Sequence, residues 1–148
     1  IAHPAFLLTG VLTALATFAA ARWVRFPHRV LLVADAVGLA LYTILGTKKA
    51  LLHGAPPGAA AALGVTTGIA GGILRDTLLR EIPLVFRREI HLYATAAIAG
   101  ALLYAFAPRS AWLPEPAVYL TSVLTVLGLR LAAIKWRLGL PDFMARDI

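Results

Sequence analysis

The sequence predicts an all-α membrane protein with five transmembrane helices, and three observations carry that reading. Hydrophobic residues make up 60% of the 148-residue chain and charged residues only 14%, whereas about a quarter of the residues of a soluble domain are charged. The apolar residues fall into five runs, approximately 2–21, 30–47, 57–74, 90–107 and 117–134. Each approaches the ~20 residues with which a helix crosses ~30 Å of hydrocarbon. The connections are short and hold turn formers: Phe26-Pro27-His28, His53 to Pro57, and Pro108 to Pro116. No separate soluble domain fits into them.

The first segment begins at Ile1, already inside its apolar run, so the chain reads as a fragment or as lacking an N-terminal portion. The run has neither the basic flank nor the cleavage pattern of a signal peptide. Thr9, Thr13 and Thr17 recur along it at helical spacing, which suits hydroxyls bonded to the carbonyl one turn back, or close packing. The second segment places Asp35, Gly38, Tyr42, Gly46 and Lys49 on one helical face. Asp35 is the carboxylate within this segment. Ionisable groups inside a membrane face a bundle interior or a wet cavity, although Arg29, one and a half turns earlier, also offers a local partner.

The third segment carries the most informative pattern, Gly64-Val65-Thr66-Thr67-Gly68-Ile69-Ala70-Gly71-Gly72-Ile73-Leu74-Arg75-Asp76. Positions 64, 67, 68, 71, 72 and 75 share one face, built of glycine and threonine and ending in an arginine. Leu63, Val65, Ile69 and Ile73 form the opposite face. Two adjacent glycines each cost ~1 kcal/mol of helix propensity relative to alanine, so a break at Gly71-Gly72 is expected. Freed carbonyls there must face protein or a wet cavity. The same small-residue spacing also packs membrane helices closely, and both readings stand at this point. The segment from Arg75 to Glu89 then alternates charge with apolar residues and is expected to lie at the interface, with Pro83 ending any continuation of the helix.

The fourth segment repeats a stripe with Tyr93, Ala97, Gly100 and Tyr104, and the fifth carries Ser122, Thr125, Gly128 and Ala132. The basic residues orient the five segments. Eleven fall on one side (Arg22, Arg25, Arg29, Arg75, Arg80, Arg87, Arg88, Arg130, Lys135, Arg137 and Arg146) and three on the other (Lys48, Lys49 and Arg109). The richer side, with the C-terminus, is placed in the cytoplasm. This bias accounts for the net charge of +7, with anionic lipid head groups as neighbours and no need for nucleic acid. There are no cysteines, which excludes disulfides and thiolate chemistry. His3, His28, His53 and His91 lie near segment ends and read as interfacial side chains. No nucleophile–base set, cofactor motif or metal-ligand spacing is visible, so no enzymatic activity and no cofactor are expected.

The runs Asp35 to Ala40, Gly64 to Asp76, Arg80-Glu81-Ile82-Pro83 and Tyr93-Ala94-Thr95-Ala96, with the tail Leu129 to Trp136, together resemble the prokaryotic TRIC-like (trimeric intracellular cation channel) family. More closely they resemble its bacterial YadS/YicG type, whose domain also carries the label glycine transporter. The likeness extends from about residue 29 onward. It implies a seven-helix bundle of two inverted three-helix repeats plus a final helix (3+3+1), with the five segments here as helices 3–7. Residues 1–28 then end the first repeat, 29–108 form the second, and 109–148 hold the final helix and a cytoplasmic tail. The family's glycine triplet stands here as Ala70-Gly71-Gly72.

The resemblance further implies a homotrimer in the bacterial inner membrane with a potassium- or sodium-conducting pore in each protomer. The expected pore or substrate residues are Asp35, Gly38, Tyr42, Thr66, Thr67, Gly68, Gly71, Gly72, Arg75 and Asp76, with transient potassium or sodium near Thr67, Gly71 and Gly72 and no fixed metal site. Arg75 suits a cation pore when Asp76 or Asp35 neutralises it. A carrier for glycine or another small zwitterion is the alternative, with Arg75 for the carboxylate and Asp35 for the ammonium. A non-transporting membrane scaffold is the second alternative, and it requires a dry bundle.

Overall fold

A computed structural model describes residues 4–21, 28–86, 92–107 and 114–136. They form five α-helices in the order α1 (Pro4–Ala21), α2 (His28–Leu52), α3 (Pro57–Leu78), α4 (Leu92–Phe106) and α5 (Glu115–Trp136), with a 3-10 turn at Leu84–Phe86 between α3 and α4. The chain separates into two compact units, Ile1–Leu31 and Leu32–Ile148. Every residue of the site described below belongs to the second.

The expectation of five membrane-spanning helices, numbered 3 to 7 of a seven-helix inverted repeat, is corrected. The architecture is all-α with five helices among the described residues, and three of them, Arg29–Leu52, Pro57–Leu78 and Glu115–Trp136, are long and apolar enough to cross a bilayer. The reason is length. α4 has 15 residues, and at 1.5 Å per residue it rises only about 22 Å, short of the ~30 Å hydrocarbon core. The apolar helical stretch Leu8–Ala20 of α1 is likewise shorter than a span.

The turns follow from local chemistry. At the end of α2, Gly54 adopts φ +82°. Gly54 N donates to Leu51 O (3.0 Å) and Ala55 N to Ala50 O (3.1 Å), the Schellman pattern that glycine permits. Pro56 and Pro57 then start α3, where a missing N–H costs nothing. At the end of α3 the same pattern recurs around Arg80, a non-glycine residue at φ 57°. Arg80 N donates to Thr77 O (3.0 Å) and Glu81 N to Asp76 O (2.9 Å).

Within the second unit α2 and α3 meet through small residues. A Cβ added to Gly64 would lie 2.5 Å from Thr43 O and 2.8 Å from Thr47 N, besides striking Thr47 Oγ1, and one on Gly68 would strike Thr43 Oγ1. A Cβ on Gly46 would sit 3.1 Å from the Gly64 Cα. Gly100 of α4 similarly admits Val126 and the Ser122 carbonyl of α5. The core of buried side chains joins Leu39 and Ile44 of α2, Tyr93, Ala97 and Tyr104 of α4, and Val118 and Val126 of α5. Across α4 and α5, the Tyr104 hydroxyl donates to Glu115 Oε1 (2.6 Å), and Lys48 Nζ pairs with the same oxygen at 3.0 Å.

Of the residues used to read orientation and the interface, His3, Arg22, Arg25, Arg87, Arg88, Glu89, His91, Arg109, Arg137 and Arg146 lie outside the described residues.

Candidate functional site

The ends of α2 and α3 that carry Asp35 and Arg75 converge on a cluster of charged and polar side chains. α3 presents Arg75 and Asp76 in its last turn, and α2 presents Asp35 two turns from its start. Arg75 Nη1 donates to Asp35 Oδ1 at 2.9 Å. Its Nε donates to Asp76 Oδ1 at 2.8 Å, and its Nη2 lies 2.7 Å from the same oxygen. The side chain of Arg75 is 27% exposed, whereas those of Asp35 and Asp76 are 5% and 3% exposed. The arginine therefore lies at the accessible rim and the carboxylates lie inside.

Asp76 also anchors the chain beyond α3. Its Oδ2 accepts the backbone N–H of Leu84 at 2.8 Å, and Leu84 is itself buried. One carboxylate thus satisfies a guanidinium and a buried amide together, a charge-assisted arrangement stronger than a neutral hydrogen bond.

Two residues complete the cluster from the other helices. The Tyr93 hydroxyl of α4 lies 3.4 Å from Asp35 Oδ1, a long donation. Arg130 of α5 stacks its guanidinium 4.6 Å from the centre of the Tyr93 ring, and its Nη2 is 3.9 Å from Asp35 Oδ2. Gly72 makes the approach possible: a Cβ there would lie 2.7 Å from the Tyr93 hydroxyl and 3.3 Å from Asp35 Oδ1.

The structure thus brings together Asp35, Gly72, Arg75 and Asp76 of the residues expected from sequence, and separates the rest from them. Gly68 is buried in the α2–α3 contact beside Thr43. Thr66 and Thr67 are exposed and bond the carbonyls of Ala62 and Leu63 one turn back, at 2.9 and 2.7 Å. Tyr42 is 59% exposed. Gly38 and Gly71 have open space where a side chain would begin. α3 is continuous helix through Gly71 and Gly72. Among the described residues no group of three or more His, Cys, Asp or Glu is placed to hold a metal ion.

Arg130, one of the basic residues of the side read as cytoplasmic, is 0% exposed and joins this cluster beside Asp35, a role not expected from the sequence. The signal was available, because position 130 lies inside the apolar run 117–134. Tyr93 stood in a stripe whose polar partner the sequence did not reveal.

Comparison with known proteins identifies the family and the fold. The sequence profile of the family described as glycine transporter matches residues 32–109. The UPF0126 inner membrane protein YadS of Escherichia coli K12 is 41% identical over 141 residues, which is 95% of this chain and 67% of that protein. A UPF0126 membrane protein of Vibrio cholerae is 43% identical over 124 residues, 81% of this chain and 51% of that protein. The crystal structure of the TRIC trimeric intracellular cation channel orthologue from Rhodobacter sphaeroides matches with a TM-score of 0.81 at 36% identity, covering 92% of this chain and 69% of that one. A second structure, described under conductance through TRIC cation channels, matches with a TM-score of 0.76 at 31% identity, covering 95% of this chain and 68% of that one. The matched proteins are described as membrane proteins and cation channels.

Proposed function

Because this chain belongs to the glycine transporter family of UPF0126, YadS-type membrane proteins, and has the fold of the TRIC cation channels, we propose that it conducts potassium and sodium across the bacterial inner membrane as a homotrimer. The observation that carries the reading is the ion cluster where helices long enough to span meet: Asp35 and Asp76 buried, with Arg75 between them at 2.9 and 2.7 Å. Carboxylates at such depth are costly and persist where an ionic pathway uses them. Arg75, the exposed member, is the residue that must move to open the carboxylates to a permeant cation.

The path in this reading runs beside α3 past Gly71 and Gly72. Both glycines lie within continuous α3, and the pair is the place where bending costs least. A bend there turns carbonyls toward the path and adds oxygen ligands for a monovalent cation. Thr66 and Thr67, whose hydroxyls are engaged with their own helix, contribute at most after rotation.

The glycine-carrier reading draws on the family's name. In the structure, however, the two groups that would hold a zwitterion, Arg75 and Asp35, are bonded to each other. A scaffold reading gives no reason for the buried charges. Flux in proteoliposomes of the purified protein separates the three. The expected result is potassium and sodium conductance that does not saturate, with no glycine counterflow. Saturable glycine exchange without potassium conductance overturns the proposal, as does the absence of any flux. Crosslinking in membranes is expected to give a ladder ending at three.

A further inference from the structure

Arg130 is fully buried, yet its Nε, Nη1 and Nη2 have no hydrogen-bond partner, and neither does Asp35 Oδ2, 3.9 Å away. Burying a guanidinium without hydrogen bonds is expensive, so an arginine kept only to tie helices together is poorly explained by this arrangement. What Arg130 supplies here is charge. The four ionised groups of the cluster divide into two pairs. Asp76 takes Arg75 through Nε and Nη2 at 2.8 and 2.7 Å. Asp35 has only a share of Arg75, through Nη1 at 2.9 Å, and Arg130 is the second cation, which brings the cluster to neutrality. The stack on Tyr93 at 4.6 Å holds the guanidinium in place without occupying its donors.

We propose that Arg130 sets the charge selectivity of the Asp35 site, as a fixed buried counter-cation that leaves the cluster neutral overall. A neutral cluster lets a monovalent cation enter and leave without being trapped, whereas an uncompensated Asp35 binds it more tightly and repels anions more strongly. This inference rests on the cation-conduction reading above and adds to it a residue and a direction of effect.

The test is the reversal potential of the purified protein in planar bilayers under a potassium chloride gradient. Arg130→Gln removes one positive charge beside the path and is expected to raise the potassium-to-chloride permeability ratio by roughly fivefold or more, the scale of a unit charge about 4 Å away at the dielectric of water. Arg130→Lys keeps the charge and the wild-type ratio. Asp35→Asn leaves Arg130 uncompensated and lowers the ratio by a similar factor, and Asp35→Asn/Arg130→Gln, neutral again, restores it. A merely structural arginine would change thermal stability and leave the reversal potential where it was. If Arg130→Gln is not recovered folded, Asp35→Asn and the double variant carry the comparison, and failure of the second substitution to restore the ratio overturns the proposal. Unchanged selectivity in conducting variants overturns this inference alone. A wild-type protein that passes no potassium overturns the conduction reading and this inference with it.

Discussion

α3 contacts its neighbours in two different ways along one face. At Gly64 and Gly68 the missing side chains admit backbone and threonines of α2, and the contact is close. One turn further, at Gly72, the missing side chain admits a phenol hydroxyl and a carboxylate oxygen. The residue type and the spacing are the same, and the physical use differs. What a Cβ would strike decides the matter. At Gly64 it meets the backbone atoms Thr43 O and Thr47 N, which cannot give way. At Gly72 it meets the far ends of Tyr93 and Asp35, which can. Small-residue spacing therefore marks close approach, and only the opposite wall shows whether packing or chemistry needs it.

The largest expected effect tests whether the polar region is held by charge. Asp76→Ala removes the partner of Arg75 and the acceptor of Leu84 N, and should cost about 3–5 kcal/mol, the range for breaking a buried pair. Unfolding in mixed micelles measures it, and a loss below that of any glycine variant would break the contrast. Next, Gly64→Ala forces backbone apart and should cost about 2–3 kcal/mol in the same assay. Gly72→Ala is expected to fold, within about 1 kcal/mol of wild type, because the groups it meets can rotate away. Their displacement should raise the conduction barrier by about 1 kcal/mol, a roughly fivefold loss of potassium flux. If Gly64→Ala folds as well as Gly72→Ala, the two regions are alike after all.

The smallest effect concerns the turns at the two ends. Beyond α2 the left-handed position is Gly54, whereas beside the ion cluster it is Arg80. Left-handed geometry costs a residue with a Cβ about 1–2 kcal/mol. Arg80→Gly should therefore raise stability by about 1 kcal/mol, readable as a higher unfolding midpoint, while Gly54→Arg lowers it.

Much of this was legible in the sequence. The five helices lie within a few residues of the five apolar runs, because proline, glycine and charge punctuate the chain wherever a helix ends. That Asp35 and Arg75 lie in facing apolar segments already required partners for them, since neither charge is stable alone at depth. The number of spans was misjudged because composition alone does not separate a short apolar helix such as Leu92–Phe106 from a spanning one. Arg130 was missed as a member of the cluster for a different reason. Near the end of an apolar run a basic residue has the composition of an interfacial anchor, and only packing against Tyr93 reveals that it is buried. Thr67, Gly71 and Tyr42 shared a stripe with true members of the cluster, but a stripe records an angle around one helix and says nothing of what stands opposite.

The close contact at Gly64 and Gly68 also has a mechanical meaning. A seam that cannot be compressed acts as a fulcrum, and the rest of α3 is then a lever arm. Arg75 lies seven residues beyond Gly68, about 10 Å along the helix axis, so a tilt of about 10° about the seam carries the arginine some 2 Å sideways. The Arg75–Asp35 bond, at 2.9 Å, does not survive such a displacement, while Asp76, riding on the same arm, keeps its hold on Arg75. A rotation too small to disturb the packed end would thus be amplified into the loss of one ion pair and the retention of the other.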